Sequence, residues 1–232
     1  QRLRLRLLER QEQLMRLARD IVNREVDPRQ FEIRAESLVA QYGELMALSW
    51  IDDRRRVVAI QASPSVKAAR DWMEDGILKP GEVEAGYGLA RDLLQPVYSQ
   101  PVGIGKAEPI LQLHLPITPR GKFAGELVAE YSVDALLRYG VPAEILAKYA
   151  VALLDSKGQT LAGQSIPDRP GLSEFLPWSG KVNEFEIPVS PVGNGLVLRA
   201  QAWRTSQGLV GGALFRLVVT LAAMTGWMLL AN

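Results

Sequence analysis

Between Pro109 and Val133 the sequence reads PILQLHLPITPRGKFAGELVAEYSV, and this stretch constrains the fold more than any other. Leu111, Leu113 and Leu115 alternate with Gln112, His114 and Pro116, the two-residue period of a strand with one apolar face. Thr118-Pro119-Arg120-Gly121 supplies turn chemistry, and Phe123 to Tyr131 is a second β-prone run. The two runs predict a hairpin at the centre of a sheet. Its other face carries Gln112 and His114, and a polar face on a central strand is either solvated or lines a pocket.

Around this hairpin the chain divides by its turn signals. Residues 1–25 predict a long helix, because no Gly or Pro interrupts them and Leu3, Leu7, Leu14, Ala18 and Ile21 fall close to a heptad seam. Such a charged helix with a narrow apolar seam packs against a partner helix or a sheet edge, and the seam is read here as a homodimer interface. Asp27-Pro28 starts a second helix that Gly43 ends. Glu44–Asp52 and Arg56–Ala62 are strands around an acidic turn. Ser63-Pro64-Ser65 caps a short helix containing Trp72, and Glu82–Gln95 is a further helix with Tyr87, Ala90, Leu93 and Leu94 inward. Pro96–Gly103 is a short strand. After the central hairpin come short helices over 134–139 and 141–148, then strands over 149–154, 160–163, 181–192 and 196–204. The last two are joined by Gly193-Asn194-Gly195, a strong hairpin signal.

The segment from Leu209 to Ala231 departs from globular composition. It is apolar except for Arg216, and about 20 such residues span a bilayer. A transmembrane helix is expected here, with Arg216 snorkelling near one interface. The chain starts with Gln, not Met, so a longer parent protein is expected. The formal net charge of +1 gives no polyanion signal, so no nucleic-acid partner is expected. The absence of Cys excludes disulfides and thiolate metal sites, and one His makes a poor transition-metal set. No cofactor is expected. Hydrolase, phosphate-loop and zinc-protease motifs are missing. Glu126 and Glu130, four apart on one strand, share a face; they read as solvated strand charges rather than as an acid–base pair.

ALSWIDDRRRVVAI and YAVALLDSKGQTLAG share one plan: an apolar strand, an acidic turn and a return strand. Together with PILQLHLPITPRGKFAGELVAEYSVDALL they resemble the extracytoplasmic double-Cache (PAS-like) sensor domains of bacterial sensor histidine kinases, chemoreceptors and diguanylate cyclases. The C4-dicarboxylate sensor kinases are similar. The resemblance implies an α+β fold: a long N-terminal helix, two tandem PAS-like antiparallel-sheet modules, then a transmembrane helix. The expected units are N-terminal helices over 1–43, a membrane-distal module over 44–140, a membrane-proximal module over 141–206 and the membrane helix over 207–232. It also implies a place in the bacterial inner membrane with residues 1–206 periplasmic, and no catalysis in this region. A small ligand, an organic acid or an amino acid, is expected in the distal module.

The candidate ligand contacts follow from residue chemistry. Arg91, on the helix before the short strand, offers a carboxylate fork. Tyr98, Ser99 and Tyr131 offer hydroxyls, and Gln112 and His114 sit on the polar strand face, where the imidazole could donate to a carboxylate. Trp50 is a candidate wall, and Lys106, in a glycine loop, a candidate cover. Two rival readings remain open: an interaction module with a filled distal site, and a hydrolase, which a cleft joining His114 to Glu126 or Glu130 would favour.

Overall fold

The computed structural model describes residues 2–64, 73–101, 108–166, 184–189 and 195–202. The first element, α1 (Arg2–Val22), forms as its uninterrupted sequence predicts. Its seam does not face outward: Leu3, Leu7, Leu14, Ala18 and Ile21 are all buried in one cluster with the chain's own strands. The seam read as a dimer interface is therefore consumed within the chain, because an apolar sheet face lies within reach to take it. α2 (Pro28–Gln41) begins with a capping box. Asp27 accepts from the Gln30 amide at 2.8 Å, and the Gln30 side chain accepts from the Asp27 amide at 3.2 Å, with proline in the first turn.

β1 (Leu45–Asp52) and β2 (Val57–Ala62) form the first hairpin. A small hairpin, β3 (Met73–Glu74) and β4 (Ile77–Leu78), precedes α3 (Glu82–Leu93). α3 stops short of the expected Gln95. Leu94 adopts a left-handed cap at φ 52°, so Val83, Tyr87 and Ala90 are buried while Leu93 and Leu94 stay 54% and 41% exposed. β5 (Val97–Tyr98), β6 (Ile110–Pro116) and β7 (Gly125–Ser132) complete a five-stranded antiparallel sheet ordered β2-β1-β7-β6-β5. The expected central hairpin is thus formed by β6 and β7, with β7 inside the sheet.

α4 (Val133–Gly140), capped by Ser132, and α5 (Ala143–Lys148) lead to a second sheet. Its strands are β8 (Tyr149–Leu154), β9 (Thr160–Gly163), β10 (Glu184–Pro188) and β11 (Val197–Ala202), in the order β10-β11-β8-β9. Read from the outer return strand inward, both sheets run return strand, first strand, last strand, penultimate strand. The acidic turns repeat atom for atom. Asp52 Oδ1 accepts from the amides of Arg54 and Arg56, both at 2.8 Å, and Asp155 Oδ1 from those of Lys157 and Gln159, at 2.8 and 2.7 Å. In each turn the fourth residue, Arg55 or Gly158, is left-handed. The sequence repeat therefore reflects a repeated hairpin.

One apolar cluster joins α1, α2, one face of the first sheet, α4 and the inner residues of the second sheet, among them Val151, Leu153 and Leu161. The other face of the first sheet has its own small cluster: Ile51, Leu78, Val83, Tyr87 and Val128. The segment Leu209–Ala231, the helix expected around Trp72 and the Gly193-Asn194 turn lie outside the described residues. Among the described residues no helix is long and apolar enough to cross a membrane.

Candidate functional site

The alternation in β6 and β7 sorts their side chains onto two faces. Leu111, Leu113, Leu115, Leu127, Ala129 and Tyr131 belong to the large cluster under α1. Gln112, His114, Glu126 and Glu130 take the opposite face, beside Val128 and beneath α3. Ser49 of β1, paired with Val128, joins them. This face was expected to be solvated or to line a pocket. It is not solvated: Ser49, His114 and Glu126 are 0% exposed and Gln112 and Glu130 1%. The reading of Glu126 and Glu130 as solvated charges is corrected, because β7 lies inside the sheet and the small hairpin and α3 pack over this face.

The polar groups are arranged in pairs. Gln112 Nε2 donates to Glu130 Oε1 at 2.8 Å, directly across the β6–β7 ladder. His114 Nδ1 lies 3.0 Å from Glu126 Oε1, one diagonal step along it. The roof over His114 is the backbone of α3 at Gly86. A methyl added there would come within 2.5 Å of His114 Cδ2 and nearer still to Nε2. Burial raises the Glu126 carboxyl above the ordinary carboxylate range, while the His114 contact opposes the rise. Beside the pair, Tyr87 donates to the Asp52 carbonyl at 2.9 Å and meets Phe123 edge-on. Burial, assisted by the nearby carboxylates, pushes its phenol up to about 12.

Among the described residues, Ser49 Oγ, Gln112 Oε1, His114 Nε2 and Glu126 Oε2 have no hydrogen-bond partner. A buried polar atom left unmatched costs about 1–3 kcal/mol, so a cluster of them on one face needs a compensating role. The arrangement presents a carboxylate oxygen, an amide oxygen, a hydroxyl and one imidazole nitrogen, a set suited to a donor-rich, positively charged head group. Among the described residues no group of acidic and histidine side chains is placed to hold a metal ion.

The other candidates divide. Ser99 sits at the edge of the polar face, its Oγ accepting from the Gln112 amide at 3.3 Å. Tyr98 and Tyr131 point to the opposite face. Tyr98 reaches the Leu7 carbonyl of α1 at 3.5 Å, and Tyr131 is fully buried near Arg10 and Glu44, so burial raises both phenols. Trp50 is also on the α1 side, tilted against Phe31 at 5.9 Å between ring centroids. The expectation that these three converge with Gln112 and His114 fails on strand parity. Residues an odd number apart on a strand, or opposite such residues, lie on opposite faces. Arg91 is exposed and pairs with Asp92 at 2.9 Å, so it does not enter the polar face. Lys106 lies outside the described residues. Parity could have found Ser49, through its register with β7, but only once the strand order was known.

Neither a protein-family model nor a curated protein matches the sequence. Solved structures do match. The ligand-binding domain of the Pseudomonas aeruginosa amino acid chemoreceptor PctB, in complex with L-Arg, is 14% identical, with a TM-score of 0.58 over 90% of this chain and 92% of that one. The ligand-binding domain of the Pseudomonas fluorescens chemoreceptor CtaA with L-leucine is 18% identical, with a TM-score of 0.54 over 88% of this chain and 89% of that one. The extracellular domain assigned to the histidine kinase rpHK1S-Z16 is 14% identical, with a TM-score of 0.56 over 88% and 89%. The chain has the fold of a double-Cache sensor domain. In this double-Cache fold the buried polar face belongs to the first sheet, on the side away from α1. The hydrolase criterion, a cleft joining His114 to a carboxylate, is met only in distance. Both groups are 0% exposed, and the α3 backbone covers the imidazole.

Proposed function

We propose that the chain is the extracytoplasmic sensing region of a bacterial transmembrane receptor, and that the polar face under α3 binds an amino acid through its ammonium group. The observation that carries this reading is the buried cluster of Ser49, Gln112, His114 and Glu126 with unmatched polar atoms. An organic acid fits less well, because the only buried arginine among the described residues is Arg10, on the other face. Structures with this fold in complex with L-Arg, L-leucine, L-serine and GABA, each an ammonium compound, support the choice. The region performs no catalysis. Residues 44–140 form the distal, ligand-binding module and 141–206 the proximal relay, with Leu209–Ala231 as the membrane anchor. The output is a two-component histidine kinase, the reading the sensor-kinase resemblance favours; chemoreceptor or cyclase output is the alternative.

Binding shifts a population between arrangements of α3 and the sheet. A homodimer through α1 uses its outward residues Leu5, Leu8 and Met15, 63%, 38% and 42% exposed, instead of the buried seam. Leu5→Glu with Leu8→Glu is expected to give a monomer by light scattering; an unchanged dimer refutes that face. A thermal-shift screen against amino acids and organic acids tests the ligand. Saturation at about 100 times the dissociation constant adds about 2.7 kcal/mol. A hit lost in Glu126→Ala supports the site, and silence across amino acids and amines refutes it. One observation favours a second reading, an interaction module with a closed site: the polar face is fully covered. Silence in the screen together with a retained dimer supports that reading.

A further inference from the structure

A cleft of about 710 Å³ lies on the α1 side of the first sheet, across it from the polar face. Its walls are the C-terminal end of α1, the β6–β7 connection and Trp50 of β1. The volume is within the range of small-molecule sites, about 300–1,000 Å³. Arg24 and Arg120 line it from opposite elements, with Asn23 and the apolar Ile21 and Ile117 also in the lining. No acidic residue is among the lining. Arg34, Arg55 and Arg138 each hold a carboxylate at 2.5 Å, whereas Arg24 and Arg120 have no ion pair among the described residues. Asp27, close in sequence to Arg24, is occupied in capping α2. Trp50 is only half-buried, its ring braced by Phe31.

We propose that this cleft binds a small organic dianion, a dicarboxylate or a phosphate monoester, distinct from the ligand under α3. Two guanidinium forks match two anionic ends or one doubly charged phosphate. The indole and the two isoleucines take the carbon body, and the asparagine amide supplies a further donor. With no carboxylate in the lining, the two positive charges are not neutralised within the cavity, and an anion gains from both.

The backbone allows an unusually clean test. Arg24 occupies the left-handed position that ends α1, at φ 62°. Its amide bonds to the Ile21 carbonyl at 3.0 Å and the next amide to that of Asp20 at 2.9 Å, a Schellman closure that favours glycine. Arg120 is left-handed too, at φ 52°. Glycine at both positions removes the guanidinium groups and relieves the backbone, so Arg24→Gly with Arg120→Gly is expected to fold at least as stably as the parent. Binding is read from Trp50 fluorescence, with Trp50→Phe as the assignment control, at fixed ionic strength. The probes are succinate, phenyl phosphate, inorganic phosphate and acetate. Succinate or phenyl phosphate is expected to give a saturable change that acetate does not, weakened about tenfold or more per arginine removed and unaffected by Glu126→Gln. The stronger of the two probes distinguishes dicarboxylate from phosphate ester. A response to inorganic phosphate alone, an equal response to acetate, an undiminished response in the double glycine variant, or no saturable response overturns the proposal.

Discussion

Two glycines of α3 make opposed predictions from nearly identical chemistry. Gly86 and Gly88 both lie inside the helix, where alanine is preferred over glycine by about 1 kcal/mol. At Gly88 an added methyl meets nothing within 4 Å. Gly88→Ala is therefore expected to stabilise the protein by about 1 kcal/mol. At Gly86 the same methyl lands on the His114 ring, 2.5 Å from Cδ2 and 2.6 Å from Cε1. The ring is 0% exposed and its Nδ1 is held 3.0 Å from Glu126, so it has no free space to rotate into. Overpacking of this kind costs about 1–3 kcal/mol. The helix-propensity gain is common to both variants and cancels in their difference, so Gly86→Ala should be less stable than Gly88→Ala by the overpacking term alone. Urea denaturation of both variants measures that difference, and adding His114→Ala to Gly86→Ala should recover most of it. Equal stabilisation by the two alanines would refute the placement of α3 over His114, and with it the closed polar face.

Three further outcomes follow from the same geometry. Glu126 has a raised pKa in the folded state, so its contribution to stability is fully present below the unfolded carboxylate pKa and lost as pH rises through the folded value. Glu126→Gln keeps the protonated shape, so its stability relative to the parent should grow from about pH 4 towards neutrality; urea midpoints that track each other across that range refute the shift. Arg10, 9% exposed, holds Glu44, 2% exposed, at 3.3 Å. Arg6 also lies 3.6 Å from that carboxylate, so Arg6→Met with Arg10→Met should cost about 3 kcal/mol by stranding it, and adding Glu44→Met should recover at least half of that; equal loss in both variants refutes a charge penalty. Arg91→Ala should change stability by less than about 0.5 kcal/mol and leave the proposed amino acid binding unaltered, because its guanidinium is exposed and pairs with Asp92; loss of binding in a calorimetric titration refutes that placement.

The fold was legible where one chain segment decides its own state. The uninterrupted α1, the Asp27-Pro28 cap, the alternation of β6 and β7, and the limits of β8 and β9 all depend on neighbours in sequence. What escaped depends on distant pairing. The seam of α1 fits a partner helix as well as a sheet, and only the presence of Leu113 and Leu127 beneath it decides between them. Glu126 and Glu130 read as solvated because their burial comes from α3 and the small hairpin, not from β7 itself. Tyr98 and Tyr131 looked like site residues because each offers a hydroxyl on a strand that borders the polar face, yet one step along a strand places them on the other face.

The polar face carries a conflict that bears on how the module would respond. Its unmatched atoms, Glu126 Oε2 and His114 Nε2 among them, make the closed arrangement costly, while the apolar contacts of Val83 and Tyr87 with Ile51 and Val128 hold α3 down. Two opposing terms of a few kcal/mol leave a small net preference, and a small net preference is what a ligand can reverse. A ligand shifts such an equilibrium only by its differential affinity for the two arrangements, and about 5.5 kcal/mol takes a population from 1:99 to 99:1. An ammonium group that meets the Glu126 carboxylate only when α3 is displaced supplies a differential of that kind, since charge-assisted hydrogen bonds contribute about 1.5–3 kcal/mol each. Gly86 is then the position where the balance is set. Any side chain larger than hydrogen pushes α3 away from His114 without ligand, so Gly86→Ala should destabilise the fold and, under the proposed sensing function, shift the chain towards its ligand-bound arrangement. If hydrogen exchange of α3 stays at the parent's level in that variant while stability falls, α3 is only a lid of the core and does not report on the site.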